Sequence, residues 1–274
     1  MYSQPGYYIK NLAYEEYFVP ATNPLFDAVY SFYEAKPKLK EVNIPVIPDG
    51  CIDMVISFSD MQCTGISICG TITSYYSMTL TNSDYIFGVR FKPGRFPFKT
   101  VGAVKEIVDN QQYVILTDNE WRFINTMTSS HTFGQRIASV SEFVGKMLYP
   151  DNKYGASIVS YTMDCINANC GNVSIKNISD ELLYSTRYIE KLFKEYTGFT
   201  PKKMCKFARM HKAVNILLLN DRANHTDVSM ECGYSDLSHM NRDLNEILGF
   251  NSTKVNKKDF FNPNVEQINT VYSF

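Results

Sequence analysis

Two stretches near the end of the chain repeat one pattern. The first reads Ser-Thr-Arg-Tyr-Ile-Glu-Lys-Leu-Phe-Lys at 185–194 and continues as Gly-Phe-Thr-Pro at 198–201. The second reads Gly-Tyr-Ser-Asp-Leu-Ser-His-Met at 233–240, followed by Leu244 and by Gly-Phe at 249–250. Each stretch predicts a short helix, a turn and an amphipathic helix that ends at a glycine. The chain therefore contains two predicted helix–turn–helix units, about 50 residues apart.

Capping signals divide the residues from 157 onward into six predicted helices. Side-chain oxygens of Ser, Thr and Asp accept hydrogen bonds from free N–H groups at a helix start, and Pro suits the first helical position. The predicted starts are Ser174 for the second helix, Ser185 for the third, Thr200-Pro201 for the fourth, Thr226 or Asp227 for the fifth, and Ser235 or Asp236 for the sixth. The fourth helix is expected to end near Leu219. When the two units are aligned with an offset of 50 residues, Ser185 and Ser235 are equivalent.

Charge is distributed unevenly along the 274 residues, a length that suits two domains. The chain has 27 basic and 28 acidic side chains, and 14 of the basic but 11 of the acidic ones lie at 171–262. A basic C-terminal half beside an acidic N-terminal half fits nucleic-acid binding by the former. We expect no signal peptide, no membrane span and a cytoplasmic protein, because no apolar run approaches the ~18 residues that a span requires.

The first 118 residues are predicted to be mostly β-strand. Short runs rich in apolar and β-branched residues alternate with turn signals, which is typical of a barrel or a sandwich. The candidate strands are 44–47, 51–58, 65–73, 77–81, 85–91 and 113–116. The fold class is therefore α+β, with a β-rich domain at 1–150, an all-α domain at 151–262 and a tail at 263–274.

Residues 119–149 are predicted to form two helices, broken near His131–Gly134. Apolar residues such as Trp121, Met127 and Ile137 recur at helical spacing. Two interpretations stay open: these helices pack against the β-domain, or they form a dimer interface.

Residues 157–258 resemble the DNA-binding domain of AraC/XylS-type transcriptional regulators. The resemblance is carried by Ser185, Ile189, Phe193-Lys194, Gly198, Pro201 and Arg209, and in the second unit by Gly233-Tyr234 and Gly249-Phe250. The second unit departs from the family pattern, since Met240 and Leu244 replace aromatic residues. Asn245 and Thr253 stand where Lys and Pro are common. The resemblance implies DNA contact, and the departures favour the first unit over the second.

The resemblance implies that two recognition helices, near 186–196 and 236–247, face successive major grooves roughly 34 Å apart. The residues predicted to point outward and contact DNA are Thr186, Arg187, Glu190, Lys191, Lys194, Ser238, His239, Asn241, Arg242 and Asn245. We predict that Arg187 reads guanine and Asn241 adenine, and that Arg242 contacts guanine or phosphate. Lys191 and Lys194 suit phosphate, as do Lys202 and Lys203 at a helix start. For each of these cations taken singly, the alternative to DNA contact is an ordinary solvent-exposed side chain.

The β-rich half more loosely resembles a domain found on some of these regulators. That resemblance rests on 47–53 and 88–94, and it implies no particular ligand. Arg90 lies on an apolar strand, where it pairs either with an acidic ligand or with Asp53 in a structural salt bridge. Asp53 and Arg90 are thus the candidate ligand-binding residues, and the favoured alternatives are the salt bridge or plain solvent exposure of Arg90.

Enzymatic function is not expected. All four histidines lie outside 1–118, which argues against a metal site or a hydrolase triad in the β-domain. The seven cysteines are odd in number and lack a CxxC, so neither a disulfide framework nor a zinc site is suggested. A thiol sensor using Cys51, Cys63 and Cys69 competes with inert buried thiols.

The sequence therefore predicts a regulator that binds double-stranded promoter DNA and needs no cofactor or metal. By family analogy it is an activator that contacts RNA polymerase. The β-domain is expected to bind a small-molecule effector or to form a homodimer. The alternatives are a divergent protein-interaction regulator that no longer reads DNA, and a redox-sensing regulator.

Overall fold

Eight strands are followed by seven helices in the residues that the structure describes. It is a computed structural model, and it describes 11–60, 62–96, 104–114, 123–124, 132–147, 154–220 and 222–255. The strands are β1 (Leu12–Phe18), β2 (Val29–Pro37), β3 (Glu41–Val46), β4 (Ile52–Ser59), β5 (Gln62–Cys69), β6 (Tyr76–Thr81), β7 (Asp84–Phe91) and β8 (Gln111–Tyr113). The helices are α1 (Phe133–Met147), α2 (Tyr154–Ala168), α3 (Ile175–Leu182), α4 (Thr186–Thr197), α5 (Pro201–Leu219), α6 (His225–Glu231) and α7 (Leu237–Leu248). Short 3-10 turns cover Val104–Glu106 and Ser252–Lys254.

The strands form two antiparallel sheets. Six of them lie in the order β1-β2-β7-β4-β5-β8, and β3 pairs with β6 alone. Within the described residues the larger sheet does not close on itself, since β1 and β8 are its two edges. The predicted α+β fold class is confirmed. Of the two predicted β arrangements, a closed barrel is not formed by the described strands, which lie in two open sheets.

Each face of the large sheet has its own apolar core. On one face, Phe32, Ile56 and Phe87 pack with Ile137 and Val140 of α1. On the other face, the small sheet covers the large one through an apolar cluster of Leu12, Tyr33, Ala35, Val42, Ile44, Leu80 and Ile86. Burial alternates along β4, as expected for a strand whose two faces meet different surroundings. Packing of α1 on the sheet confirms that interpretation of 133–147.

The helices share one core around α5, the longest of them. Its buried side chains include Phe207, Met210, Val214 and Leu218, and residues from α2, α3, α4, α6 and α7 join the same cluster. Because α5 contacts both helix–turn–helix units, it holds one relative to the other. No helix in the described part of the chain is both long and apolar enough to cross a membrane.

The predicted elements are confirmed in most positions and wrong in a few. Ser174, Ser185 and Thr200 cap their helices, and α5 ends at Leu219 as predicted. The predicted start of the fifth helix at Thr226 or Asp227 is wrong, because Asn224 is the cap. The last described strand, Gln111–Tyr113, begins before the predicted strand at 113–116, of which 115 and 116 lie outside the described residues. β1 and β2 had no specific prediction. Trp121, Met127, His131, the boundary at 150 and the tail at 263–274 lie outside the described residues.

Candidate nucleic-acid interface

The first helix–turn–helix unit consists of α3, a tight turn and α4. Leu183 sits in the turn with a left-handed φ of 58°, and the Tyr184 N–H donates to the Ser179 carbonyl at 3.1 Å. The hydroxyl of Ser185 then accepts a hydrogen bond from the Tyr188 N–H at 3.2 Å. This bond satisfies one of the free N–H groups at the start of α4 and fixes where the helix begins.

The second unit, α6 and α7, repeats this turn with different residues. Gly233 takes the left-handed position with a φ of 79°, and the Tyr234 N–H donates to the Ser229 carbonyl at 3.0 Å. The Asp236 carboxylate caps α7 by accepting from the His239 N–H at 2.7 Å. That bond lowers the pKa of Asp236 below its usual range, because it stabilises the charged carboxylate.

The two units differ by one inserted residue in the turn. Ser179 and Ser229 are equivalent, as are Tyr184 and Tyr234, so the offset before the turn is 50. The caps Ser185 and Asp236 and the helix-ending glycines 198 and 249 are 51 apart. The predicted equivalence of Ser185 with Ser235 is therefore wrong, and Ser235 is the extra residue.

The outward face of α4 carries exposed cations. Ile189, Leu192 and Phe193 are buried in the core, as predicted. Four of the predicted contact residues are exposed, namely Arg187, Glu190, Lys191 and Lys194. Within the described residues, the three cations among them form no ion pair. Thr186 is half-buried, with its hydroxyl 3.0 Å from that of Ser179, so it supports the turn.

The outward face of α7 is less basic. Ser238, Arg242 and Asn245 are exposed, and Arg242 is its only cation. His239 is half-buried, packs edge-on against Tyr234 and lies 3.2 Å from the Ser235 hydroxyl. Asn241 is also half-buried, and its side-chain oxygen accepts from the Ser252 N–H at 2.9 Å. That bond uses one of the two lone pairs of the oxygen that a two-point contact with adenine requires.

The cations of α5 are divided between solvent and α7. Lys202 is exposed and forms no ion pair with a described residue. Lys203 donates to Glu246 of α7 at 2.7 Å, so the prediction that it grips phosphate conflicts with this contact. Lys206 bonds to Glu246 at 3.0 Å as well. Hydrogen bonds from Lys203 and Lys206 lower the pKa of Glu246 to about 2.

Asp243 and Arg209 join the second unit to the rest of the helical region. The Asp243 side chain is 3% exposed and lies 2.9 Å from Lys206 and 3.7 Å from Arg209. Arg209 also donates to the Gly171 carbonyl at 3.0 Å and stacks over Tyr234. Sequence reasoning missed Asp243, although the charge interrupts the apolar face of a predicted helix and was visible as an exception to the pattern.

Comparison with known proteins agrees with this geometry. Residues 178–257 match the model of a helix-turn-helix domain, and residues 17–112 match a domain of unknown function, DUF6597. The HTH-type transcriptional activator RhaS of Escherichia coli O9:H4 (strain HS) is 34% identical over 62 residues, as is RhaS of Shigella boydii serotype 18. This match covers 23% of the chain and 22% of each relative. The matches to regulators are thus confined to the helical region, where the chain has the helix–turn–helix domain of AraC-type transcriptional regulators.

Two solved structures of other proteins show a weak similarity to this chain. ToxT from Vibrio cholerae is 10% identical, with a TM-score of 0.41 over 90% of this chain and 98% of that one. The C-terminal domain of AraT from Geobacillus stearothermophilus is 14% identical, with a TM-score of 0.36 over 42% of this chain and 96% of that one.

In the β-domain, Arg90 is buried in a salt bridge. Its guanidinium donates to both carboxylate oxygens of Asp53, at 3.1 and 3.0 Å, and lies 3.5 Å from Asp49. The Tyr33 hydroxyl also donates to Asp53, at 2.9 Å. The structure therefore has the predicted salt bridge between Asp53 and Arg90, and the alternative of an exposed Arg90 is wrong, because the residue is 5% exposed. These contacts occupy the charge that an acidic ligand would need.

The three thiols considered as sensors have unreactive surroundings. Burial raises the pKa of Cys69 to about 12, and it also raises the pKa of Cys51 and Cys63. A thiol with a raised pKa holds little of the reactive thiolate near neutral pH. Among the described residues, no cluster of His, Cys, Asp and Glu could hold a metal ion.

Proposed function

We propose that this chain is an AraC-type transcription regulator that binds double-stranded DNA in a sequence-specific manner through α4, with a smaller contribution from α7. The observation that carries the proposal is the set of three exposed cations on α4, Arg187, Lys191 and Lys194, which pair with no acidic side chain in the described chain. Exposed cations on one helix face attract phosphates, and an arginine among them can make a two-point contact with guanine. Thr186 and Glu190 complete the proposed reading face.

The second unit adds a weaker contact in this proposal. Arg242 and Lys202 are placed on phosphate, and Ser238, His239, Asn241 and Asn245 at or near the base edges. Because α5 carries both units, one molecule would recognise two half-sites about one DNA turn apart. Residues 151–262 form the DNA-binding domain in this proposal.

The proposal extends to the β-domain, residues 1–150. We propose that it binds a small-molecule effector or forms a homodimer, so that DNA binding responds to a signal. The curated relatives are named activators. We therefore propose that this chain also activates transcription, with RNA polymerase as a partner.

Salt-dependent DNA binding tests the proposal. Fluorescence anisotropy would compare duplex DNA from upstream of the protein's own gene with a shuffled duplex, between about 50 and 200 mM salt. We expect tight, selective binding that weakens steeply with salt, because each neutralised phosphate releases counterions. A chain that acts only through protein contacts would show no selectivity for either duplex.

A matched pair of triple variants locates the contact. Arg187→Ala/Lys191→Ala/Lys194→Ala should lower the slope of log affinity against log salt by about 2 to 3. The control Lys36→Ala/Lys38→Ala/Lys40→Ala removes the same charge from exposed positions in the β-domain. Equal effects of the two variants would contradict a contact through α4.

A further inference from the structure

The β-domain is packed against the helical region at several points. Ile47, in the loop after β3, is 1% exposed and belongs to the apolar core of the helices. The next residue, Pro48, has its carbonyl 2.8 Å from Nε2 of His211 on α5. This loop therefore attaches the β-domain to the helix that joins the two helix–turn–helix units.

A second contact reaches the end of α7. The Tyr75 N–H donates to the Ile247 carbonyl at 2.8 Å, one residue before α7 ends. The Tyr75 ring packs edge-on against Phe250, with the ring centroids 6.1 Å apart. Tyr75, which makes both contacts, lies in the segment that leads into β6.

A third contact reaches the end of α4. Gly198, which ends this helix with a φ of 80°, lies so close to the β-domain that a Cβ atom there would be 2.5 Å from Val108 Cγ2. Val108 follows the 3-10 turn at Val104–Glu106 and packs against the helical core. The same domain thus touches the C-terminal ends of both recognition helices.

These contacts leave the DNA-reading ends of the helices open. Recognition helices contact base edges mainly with their N-terminal residues. Arg187 and Ser238, near the two N-termini, are exposed, whereas Gly198 and Ile247 lie at the ends that the β-domain holds. Docking of the β-domain is therefore compatible with DNA binding by both units.

We infer that the β-domain fixes the spacing of the two DNA half-sites by holding α4, α5 and α7 in one arrangement. The inference rests on the proposed function and deepens it. One base pair inserted between half-sites turns the second by about 35° and shifts it by about 3.4 Å. Units held at both recognition helices cannot follow that change, whereas units joined by α5 alone can follow part of it.

The test measures spacer selectivity with the full-length chain. Duplexes selected by the wild type from a random library would be remade with one base pair inserted or removed between the half-sites. We expect the wild type to lose affinity by about tenfold or more, the cost of a poorly matched half-site. The variant Tyr75→Ala/Val108→Ala, which removes side chains at both helix ends, should bind the original spacing nearly as well. Its penalty for altered spacing should fall to about threefold or less.

Tyr113→Ala is the matched control, because Tyr113 is an exposed tyrosine of β8 in the same domain. It should keep the wild-type penalty. An unchanged penalty in the double variant would overturn the inference, while DNA binding itself would stand. If the wild type selected no sequence, the proposed function would fail and the inference with it. If the double variant unfolds at the assay temperature, the two single variants make the same comparison.

Discussion

The two helix–turn–helix units have the same backbone plan and use their charges differently. On α4 the cations point to solvent, and the buried face is apolar, with Leu192 at its centre. On α7 the equivalent of Leu192 is Asp243, and this buried carboxylate draws Lys206 and Arg209 of α5 toward the second unit. The comparison teaches that two copies of one motif can differ in the use of their charges. One copy exposes them to solvent, and the other uses a buried charge to bind the neighbouring helix α5.

Asp243→Asn should produce the largest effect on stability. The substitution keeps the shape of the side chain but removes the charge that faces Lys206 and Arg209. We expect the free energy of unfolding to fall by about 3 kcal/mol, the low end for a broken buried pair, because Lys206 is partly exposed. Urea titration monitored by circular dichroism would measure it. The control Glu246→Gln removes an exposed charge from the same cluster and should cost less than about 1 kcal/mol. Similar losses would show that Asp243 has no special role.

Arg187→Ala should weaken DNA binding more than the equivalent change in the second unit. If Arg187 reads a base, its loss should cost about 1–3 kcal/mol and relax the preference at one operator position. Ser238→Ala, at the equivalent position of α7, should cost about 1 kcal/mol or less, the value of an uncharged hydrogen bond. Anisotropy titrations against single-base variants of the operator would measure both. Equal weakening on all sequences would move Arg187 to a phosphate, and no weakening would remove it from the interface.

Leu183→Gly should make the first turn like the second and stabilise the protein slightly. Leu183 has a left-handed φ and is 90% exposed, so it bears backbone strain without gaining burial. Relief of about 1–2 kcal/mol of strain, offset by the greater freedom of glycine in the unfolded chain, predicts a gain of up to about 1 kcal/mol. The reverse test is Gly233→Ala, which should destabilise, since φ is 79° and a Cβ atom would lie 2.9 Å from Asn172. A thermal melt that leaves Leu183→Gly below the wild type would contradict the strain argument.

His211, on the helix between the two units, should give a small dependence of stability on pH. Burial lowers the pKa of His211 below its usual value near 6.5, and the neighbouring Asp49 opposes the shift in part. The unfolded chain therefore binds the proton more readily, so stability is lost as pH falls below about 6.5. One group contributes at most about 1.4 kcal/mol per pH unit. His211→Gln should flatten this slope in urea titrations at a series of pH values, and an unchanged slope would assign the dependence to other groups.

Local signals were sufficient to predict the helices of the C-terminal region. Ser185 and Thr200 each cap a helix by accepting a hydrogen bond from an N–H group three residues later. Such a bond depends only on residues close in sequence, so it can be predicted from the sequence. The core positions of α4 and α7 followed from helical spacing for the same reason. The exposed α4 cations could be predicted too, since every position not facing the core must face outward.

Contacts between distant parts of the chain could not be predicted in this way. The bond between His211 and Pro48 joins residues far apart in sequence, and neither residue has a distinctive local pattern. Capture of Lys203 by Glu246 depends on how α5 and α7 cross, which no spacing within either helix determines. The strands β1 and β2 were missed because polar residues interrupt their apolar runs.

The extra residue in the second turn has a consequence for the exchange of surface residues between the two recognition helices. Each residue of an α-helix rotates the next side chain by about 100°. An insertion inside α7 would therefore have turned its core residues toward solvent, whereas Ser235 precedes the cap and leaves the helix in phase. A chimera that transplants the α4 surface onto α7 must shift positions by 51, so that Arg187 replaces Ser238 and Lys191 replaces Arg242. A graft aligned by 50 would place arginine at Leu237 and present the wrong side of the helix to the groove.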